Sequence, residues 1–114
     1  MPSNTLLPLF SQYPVIKQQL SPQQFACLPT PVKALPELAS NAWVKQDDLT
    51  HPDYGGNKIR KLDFVLADIK RQNKKHVITF GATGTNAGVA TAMMCHRNDL
   101  KCTVYLFEQP LSQT

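Results

Sequence analysis

The chain has 114 residues, which suffices for one domain, or part of one, with a modest core. Hydrophobic residues make up 42% of it, as in an ordinary soluble globular protein. The 12 basic and 8 acidic residues give a net charge of +4, and this small excess, spread along the chain, argues against a nucleic-acid-binding surface.

Residues 1–40 are polar, rich in proline and without hydrophobic periodicity, so the sequence predicts an N-terminal arm without long regular elements. Apolar clusters at residues 6–10 and 13–16 indicate anchoring points on an extended arm. Ser21 and Pro22 are typical of a helix start, with serine as the cap and proline in the first turn. We expect the helix that follows them to be very short.

The first predicted strand covers residues 43–46, where apolar and polar side chains alternate between polar turns. Asp47 and Asp48 close it. Two adjacent carboxylates can take part in acid–base chemistry or metal binding, but such a pair more often ends a strand and lies in a solvated loop. We therefore assign these two residues no catalytic role.

A helix is predicted from residue 58 to residue 71. Its apolar residues follow the spacing of a helix with one buried face, namely Leu62, Val65, Leu66 and Ile69. The polar residues 72–75 end this helix, and the basic residues around its C-terminal end are expected to face water.

A strand, a second helix and another strand are predicted in the last third of the chain. Residues 76–80 and 102–107 are rich in β-branched and aromatic side chains, which is typical of buried strands. Thr85 or Asn86 can cap the helix between them, and residues 98–99 end it. The predicted buried positions of this helix are Val89, Ala90, Met93 and Met94.

The order strand, helix, strand, helix, strand predicts an α/β fold with a parallel sheet and flanking helices. Three strands are few for such a sheet, which is normally covered on both faces. We therefore expect residues 41–114 to be a partial α/β region and the chain to be the incomplete N-terminal part of a longer protein.

Cysteine and histidine usage argues against a metal centre. The three cysteines are too few and too irregularly spaced for a metal site or a disulfide framework, and we expect buried free thiols in a reducing compartment. His51, His76 and His96 are too scattered to bind one metal ion. Residues 1–10 resemble neither a signal peptide nor a membrane span, so a cytoplasmic location is expected.

The segment from residue 55 to residue 62, Gly-Gly-Asn-Lys-Ile-Arg-Lys-Leu, lies between a proline-bearing loop and the first long predicted helix. Adjacent glycines let the backbone approach another group closely and leave N–H groups free at the helix start. Lys58 lies at the helix entrance, and Lys61 follows one turn later on the same face. Cations are unfavourable at the positive end of a helix dipole, so Lys58, Arg60 and Lys61 together predict a bound anion such as phosphate.

This segment closely resembles the cofactor-lysine motif of the fold-type II pyridoxal-phosphate enzymes, in the branch of 1-aminocyclopropane-1-carboxylate deaminase and D-cysteine desulfhydrase. The resemblance extends from about residue 28 to residue 107. It implies that Lys58 holds pyridoxal 5'-phosphate as a Schiff base and that Asn57 and Lys61 help to hold the phosphate side. It also implies a homodimer, when full length, that releases ammonia from a small amino-acid substrate, with or without sulfide.

A second glycine-rich stretch, residues 80–88, connects a predicted strand to a predicted helix, and its N–H groups can hold an anion. By the same resemblance this turn binds the substrate carboxylate, with Thr85 in the catalytic position where the family usually has serine. Asn86 matches the asparagine that contacts the cofactor ring hydroxyl. Ala82 and Ala87 depart from the family pattern, so another amino-acid substrate fits as well as the two named ones.

Two other interpretations stay open. The start of this turn, residues 81–84, also resembles a dinucleotide-binding fingerprint, with Glu108 near the place of a ribose-binding acid. However, Gly88 falls one residue too late for that motif, which also leaves the lysine segment unexplained. Alternatively, the chain is a truncated remnant that acts at most as an interaction module, with exposed apolar strand edges that favour self-association. In either the enzyme or the remnant case, we expect the isolated chain to be inactive and to bind the cofactor weakly.

Overall fold

The computed structural model describes residues 7–110, so Leu6 of the predicted anchors lies outside the described residues. The chain forms two compact units, Met1–Ala67 and Asp68–Thr114, and the boundary falls within one helix. The division predicted at residue 40 stays a prediction.

The first unit begins with two short helices, α1 (Pro8–Gln12) and α2 (Pro14–Gln19). The extended arm predicted here is therefore wrong. Each helix has its proline in the first turn, where the missing N–H group leaves no helical hydrogen bond unmade. The helix predicted after Ser21 and Pro22 is also wrong, because residues 20–31 form neither helix nor strand. The N–H group of Gln23 instead donates to the carbonyl oxygen of Asp63 at 3.0 Å.

Strands β1 (Val32–Ala34) and β2 (Trp43–Lys45) form an antiparallel pair in which Lys33 faces Val44. The strand predicted at residues 43–46 is confirmed, but its place in a parallel sheet is wrong. The connection between the two strands, residues 35–42, contains no helix or strand and can join an antiparallel pair, whereas a parallel pair needs a longer crossover. A short 3₁₀ helix, Asp47–Leu49, follows β2.

Helix α3 (Lys58–Arg71) has the predicted bounds. Its buried residues are Ile59, Leu62, Asp63 and Leu66. They follow the i, i+3, i+4, i+7 spacing, but the pattern starts at Ile59 and not, as predicted, at Leu62. Val65 is 48% exposed, so its predicted burial is wrong. The error arises because Asp63, a carboxylate, takes a core position that hydrophobic periodicity cannot reveal.

The second unit contains a parallel β–α–β arrangement of β3 (His76–Ala82), α4 (Asn86–Arg97) and β4 (Lys101–Phe107). The parallel sheet is thus confirmed for these two strands. Helix α4 packs on one face of the sheet: a Cβ atom on Gly88 would lie 3.1 Å from Cγ1 of Val104. The buried residues of α4 are Gly88, Ala90, Met94 and Cys95, whereas Val89, predicted to be buried, is 55% exposed.

The other face of this sheet is apolar and exposed. Phe80 lies opposite Tyr105 and Ala82 lies opposite Phe107. Phe80 is 78% exposed and Tyr105 is 64% exposed, and Ile78 and Phe107 are also more than half exposed. The prediction that both strands are buried is therefore wrong for this face. Parallel sheets are normally covered on both sides, and within the described part of the second unit the helix covers only one.

The three cysteines differ in exposure, and all are free thiols: Cys95 is buried, Cys102 is half-buried and Cys27 is exposed. The predicted burial is therefore wrong for Cys27. Burial, together with the neighbouring Cys102 thiol, raises the pKa of Cys95 to about 11. Between residues 7 and 110, no helix has both the length and the apolar character that crossing a membrane requires.

Candidate functional site

The glycine loop before α3 lies against the main chain of the 3₁₀ helix. A Cβ atom on Gly55 would lie 2.6 Å from the carbonyl carbon of Asp48, so a larger residue does not fit. Gly56 has a φ of +143°, which other residues rarely adopt. The close backbone approach predicted for these glycines is therefore present, and its partner in the structure is the chain's own backbone.

Thr50 fastens this loop and was not identified from the sequence. Its side chain is fully buried, and its Oγ1 lies 2.8 Å from the carbonyl oxygen of Gly56 and accepts the Gly56 N–H at 3.1 Å. The same N–H also donates to the carbonyl oxygen of Asp47 at 2.7 Å. These bonds fix the residue two positions before Lys58. A threonine in a polar loop carries no distinctive sequence signal, which explains why it was missed.

Asp47 and Arg60 form an ion pair with two hydrogen bonds. Arg60 donates from Nε to one carboxylate oxygen at 2.9 Å and from Nη2 to the other at 2.7 Å. Thr30 donates its hydroxyl to the Asp47 carboxylate at 2.9 Å and accepts from Arg60 at 3.1 Å. The Arg60 hydrogen bonds lower the pKa of Asp47 to about 2, and Asp47 in turn raises the pKa of Arg60.

This ion pair changes the interpretation of two sequence features. Arg60 was grouped with Lys58 and Lys61 as a cation in need of an anion, but its guanidinium is occupied by Asp47. Asp47 was expected to lie in a solvated loop, but its side chain is only 26% exposed and is hydrogen-bonded. Of the three cations in the motif, the two lysines thus remain candidates for binding an anion.

The predicted residues of the lysine segment lie together at the start of α3. Lys58 is the first residue of the helix and is half-buried, whereas Asn57 and Lys61 are exposed. A primary amine, a second cation one turn away, an amide and the free N–H groups of a helix start are a suitable donor set for a phosphate-bearing aldehyde. The residues present therefore fit the cofactor that the resemblance implies.

The second glycine-rich turn is organised around Thr85. Of the two predicted caps, Thr85 and Asn86, this residue is the one that caps α4, and its Oγ1 accepts the N–H of Gly88 at 3.2 Å. A Cβ atom on Gly81 would lie 2.7 Å from the Thr85 hydroxyl oxygen, and one on Gly88 would lie 2.6 Å from its methyl group. Gly84 has a φ of +83°. Gly81 and Gly88 therefore leave space for the Thr85 side chain, and Gly84 allows the backbone conformation of the turn.

Asn86 is the first residue of α4 and is exposed. The predicted site residues thus fall into two groups, each held together by its own unit. Lys58, Asn57 and Lys61 belong to the first unit, and Thr85 and Asn86 belong to the second.

A buried polar cluster in the first unit contains Asp63 and His51, which are 5% and 8% exposed. Asp63 accepts the N–H of Phe25 at 2.9 Å. Burial raises the pKa of Asp63, although N–H donors from residues 24–26 and the nearby His51 oppose this effect. His51 packs edge-on against the ring of Phe25 and accepts the N–H of Asp53 at 3.2 Å. These hydrogen bonds and the ring contact explain why both polar side chains are buried.

A cavity of about 690 Å³ lies in the first unit, with mostly apolar walls that include Phe25 and Phe64. Its three charged wall residues all have partners within the chain: Lys45 donates to the Thr30 carbonyl oxygen, Arg60 pairs with Asp47, and Asp63 accepts the N–H of Phe25. No group of His, Cys, Asp and Glu side chains suited to hold a metal ion occurs between residues 7 and 110.

Comparison with known proteins identifies the family. The family model for pyridoxal-phosphate dependent enzymes matches residues 24–110, which include both glycine-rich turns. D-cysteine desulfhydrase from Salmonella typhimurium is 38% identical over 95 residues, and the match covers 80% of this chain and 29% of that protein. The D-cysteine desulfhydrase of Salmonella newport is 39% identical over 90 residues, or 75% of this chain and 27% of that protein.

A crystal structure described as an ACC deaminase homologue has the same fold. Its TM-score is 0.76 at 22% sequence identity, and the match covers 95% of this chain and 40% of that one. The α/β fold expected from the sequence is thereby confirmed. The chain spans about 29% of the length of the Salmonella typhimurium relative.

Proposed function

The chain belongs to the pyridoxal-phosphate-dependent enzyme family, and we propose that it is the lysine-bearing N-terminal part of an enzyme that releases ammonia from a small amino acid. The reaction we propose is of the D-cysteine desulfhydrase or 1-aminocyclopropane-1-carboxylate deaminase type. The observation that carries the proposal is the position of Lys58. It is the first residue of α3, half-buried, behind a glycine loop that Thr50 fastens.

The bound cofactor supplies an electron sink for negative charge that develops on the substrate. In our proposal Nζ of Lys58 would hold the cofactor at its aldehyde group. Once the substrate amine has displaced it, the free Lys58 amine would take a proton from the substrate and return it. Asn57 and Lys61 would hold the phosphate side, aided by the N–H groups at the start of α3. Arg60 has no part in phosphate binding in this account because Asp47 occupies its guanidinium.

We assign the substrate carboxylate to the turn around Thr85. The hydroxyl oxygen accepts a hydrogen bond from Gly88, which leaves the hydroxyl proton available for donation to a carboxylate. Asn86, at the first position of α4, would orient the cofactor ring through its amide. The full-length enzyme would act as a homodimer in the cytoplasm. The isolated 114-residue chain is expected to be inactive, since it spans less than a third of its relative's length.

The test is Lys58→Ala in the full-length protein that carries this segment. We expect loss of cofactor absorbance and of ammonia release from D-cysteine or 1-aminocyclopropane-1-carboxylate. The matched control is Lys74→Ala, because Lys74 is an exposed lysine outside the motif. A Lys58→Ala protein that keeps both the absorbance and the turnover would refute the assignment.

A second candidate function is self-association without catalysis, and the exposed apolar face of β3 and β4 favours it. An apolar patch of this kind is typical of an interaction surface. Sedimentation of the 114-residue chain would test it with Phe80→Ser, and Val15→Ser is the control because Val15 is 69% exposed on α2. A natural product that ends at Thr114, lacks turnover and loses association only with Phe80→Ser would support this candidate. A monomeric chain would contradict it.

A further inference from the structure

Asp47 contacts the chain on both sides of Lys58. Its carbonyl oxygen accepts the N–H of Gly56, two residues before Lys58, at 2.7 Å. Its carboxylate accepts two hydrogen bonds from Arg60, two residues after Lys58, at 2.7 and 2.9 Å. We propose that Asp47 is a positioning residue that fixes the direction in which the Lys58 side chain leaves α3. This inference rests on the proposed role of Lys58 as the cofactor lysine.

These contacts fix the orientation of the chain around Lys58 in addition to stabilising it. A guanidinium paired with both carboxylate oxygens is fixed in angle as well as in distance. Thr30 holds the same carboxylate through its hydroxyl at 2.9 Å. At the other end, Thr50 is fully buried and bonds both main-chain groups of Gly56. Residues 56 and 60 are thus anchored to one short helix, Asp47–Leu49.

Anchoring matters at this place because the first turn of a helix is its least constrained part. The first N–H groups of a helix have no partner within the helix, so its ends fray. Lys58 is the first residue of α3, and without an external contact its side-chain direction would vary with the fraying. The bond from Arg60 to Asp47 fixes the rotation of the first turn from outside the helix.

The choice of Arg60 as the partner also keeps the carboxylate away from the lysine amine. An α-helix advances about 100° per residue, so Arg60 leaves it on nearly the opposite side from Lys58, while Lys61 lies only about 60° from Lys58. A carboxylate beside Lys58 would favour its protonated form, which is a poor nucleophile. Asp47 therefore orients Lys58 without forming an ion pair with it.

The test compares Asp47→Asn with Asp48→Asn in the full-length protein. The two variants remove the same charge from adjacent residues, but Asp48 is exposed and its carboxylate is not the one that pairs with Arg60. The first measurement is competitive labelling of cofactor-free protein with acetic anhydride, with Lys58 quantified against the exposed Lys74 by peptide mass spectrometry. The second is the rate at which borohydride traps pyridoxal phosphate on the Lys58 peptide.

We expect Asp47→Asn to raise the labelling of Lys58 toward that of Lys74, because the released first turn exposes the amine. We expect trapping on Lys58 to slow by about tenfold or more, since displacement of a reacting group by about 1 Å can reduce a rate about a hundredfold. Arg60→Gln should have the same effects, and the double variant should be no worse than either single one, because both act through one contact. Asp48→Asn should behave as the unmodified protein.

A folded Asp47→Asn protein with unchanged labelling and trapping would overturn the proposal. If that variant fails to fold, Arg60→Lys replaces it, because lysine keeps the charge but cannot make the bidentate contact with Asp47. Unchanged labelling and trapping in the folded Arg60→Lys protein would also overturn the proposal. Failure of the proposed function gives a different result. In that case the unmodified protein traps no cofactor on Lys58, while the labelling comparison still reports whether Asp47 orients the amine.

Discussion

The contribution of Asp47 to folding should depend on pH in a way that the structure predicts. The Arg60 hydrogen bonds lower the pKa of Asp47 from its ordinary value of 3.8 to about 2. That difference corresponds to at most about 2.5 kcal/mol of stabilisation of the folded state. The side chains of the pair are 35% and 26% exposed, so water screens part of this, and we expect about 1–2 kcal/mol.

Because the pKa of Asp47 is lower in the folded state, its contribution to stability falls as the pH falls. The stabilisation is fully present above the unfolded-state pKa of 3.8 and is lost as the pH falls toward about 2, where the folded-state carboxylate takes up its proton. Asp47→Asn should therefore reduce the free energy of unfolding by about 1–2 kcal/mol at pH 6 and by progressively less below pH 4. Urea unfolding of both proteins between pH 6 and pH 2.5 measures this, with Asp48→Asn as the control. A difference that stays constant over this range, or is absent at pH 6, would show that the ionised Asp47 carboxylate does not stabilise the fold through Arg60.

Three further predictions concern the two turns and the thiols. Gly55→Ala should destabilise the protein by about 3 kcal/mol in urea unfolding, because the added Cβ overlaps the main chain of Asp48, and wild-type stability would contradict this. Thr85→Ala should lower stability by about 1 kcal/mol through loss of the helix cap, whereas Thr85→Ser should not; equal melting temperatures for the two variants would contradict the cap. A thiol reagent at pH 8 should modify Cys27 and leave Cys95 unreacted, because Cys95 is buried and has a pKa of about 11; comparable rates in native protein would contradict this.

The sequence predicted those helices and strands that are determined by the pattern of neighbouring residues. Helix α3 has its predicted bounds because periodicity and the polar residues after Arg71 are both properties of neighbouring residues. The β3–α4–β4 order is confirmed for the same reason. The pairing of β2 was wrong because partner choice depends on a second segment, β1, whose three residues give almost no pattern. The helices α1 and α2 were missed because proline was interpreted as a breaker, although it is favourable in a first turn.

The candidate site was predictable only as far as its motif. The motif made Lys58 and its neighbours candidates, and the resemblance of its turn to that of the family made Thr85 one; these site roles stay predictions. The Asp47 contacts were not predictable because Asp47 and Arg60 are 13 residues apart and their pairing depends on how the loop between them folds. Burial of Asp63 was not predictable for a related reason. A buried carboxylate is tolerated when distant N–H groups donate to it, and one of these belongs to Phe25, 38 positions away.

The site of cofactor attachment is the most direct test of the role of Lys58 as the cofactor lysine. The full-length protein is incubated with pyridoxal 5'-phosphate, reduced with borohydride, digested and analysed by peptide mass spectrometry. We expect one modified lysine, Lys58, at close to one cofactor per chain. Modification of Lys61 or of exposed lysines such as Lys74 to the same extent as Lys58, or no retained cofactor, would contradict it.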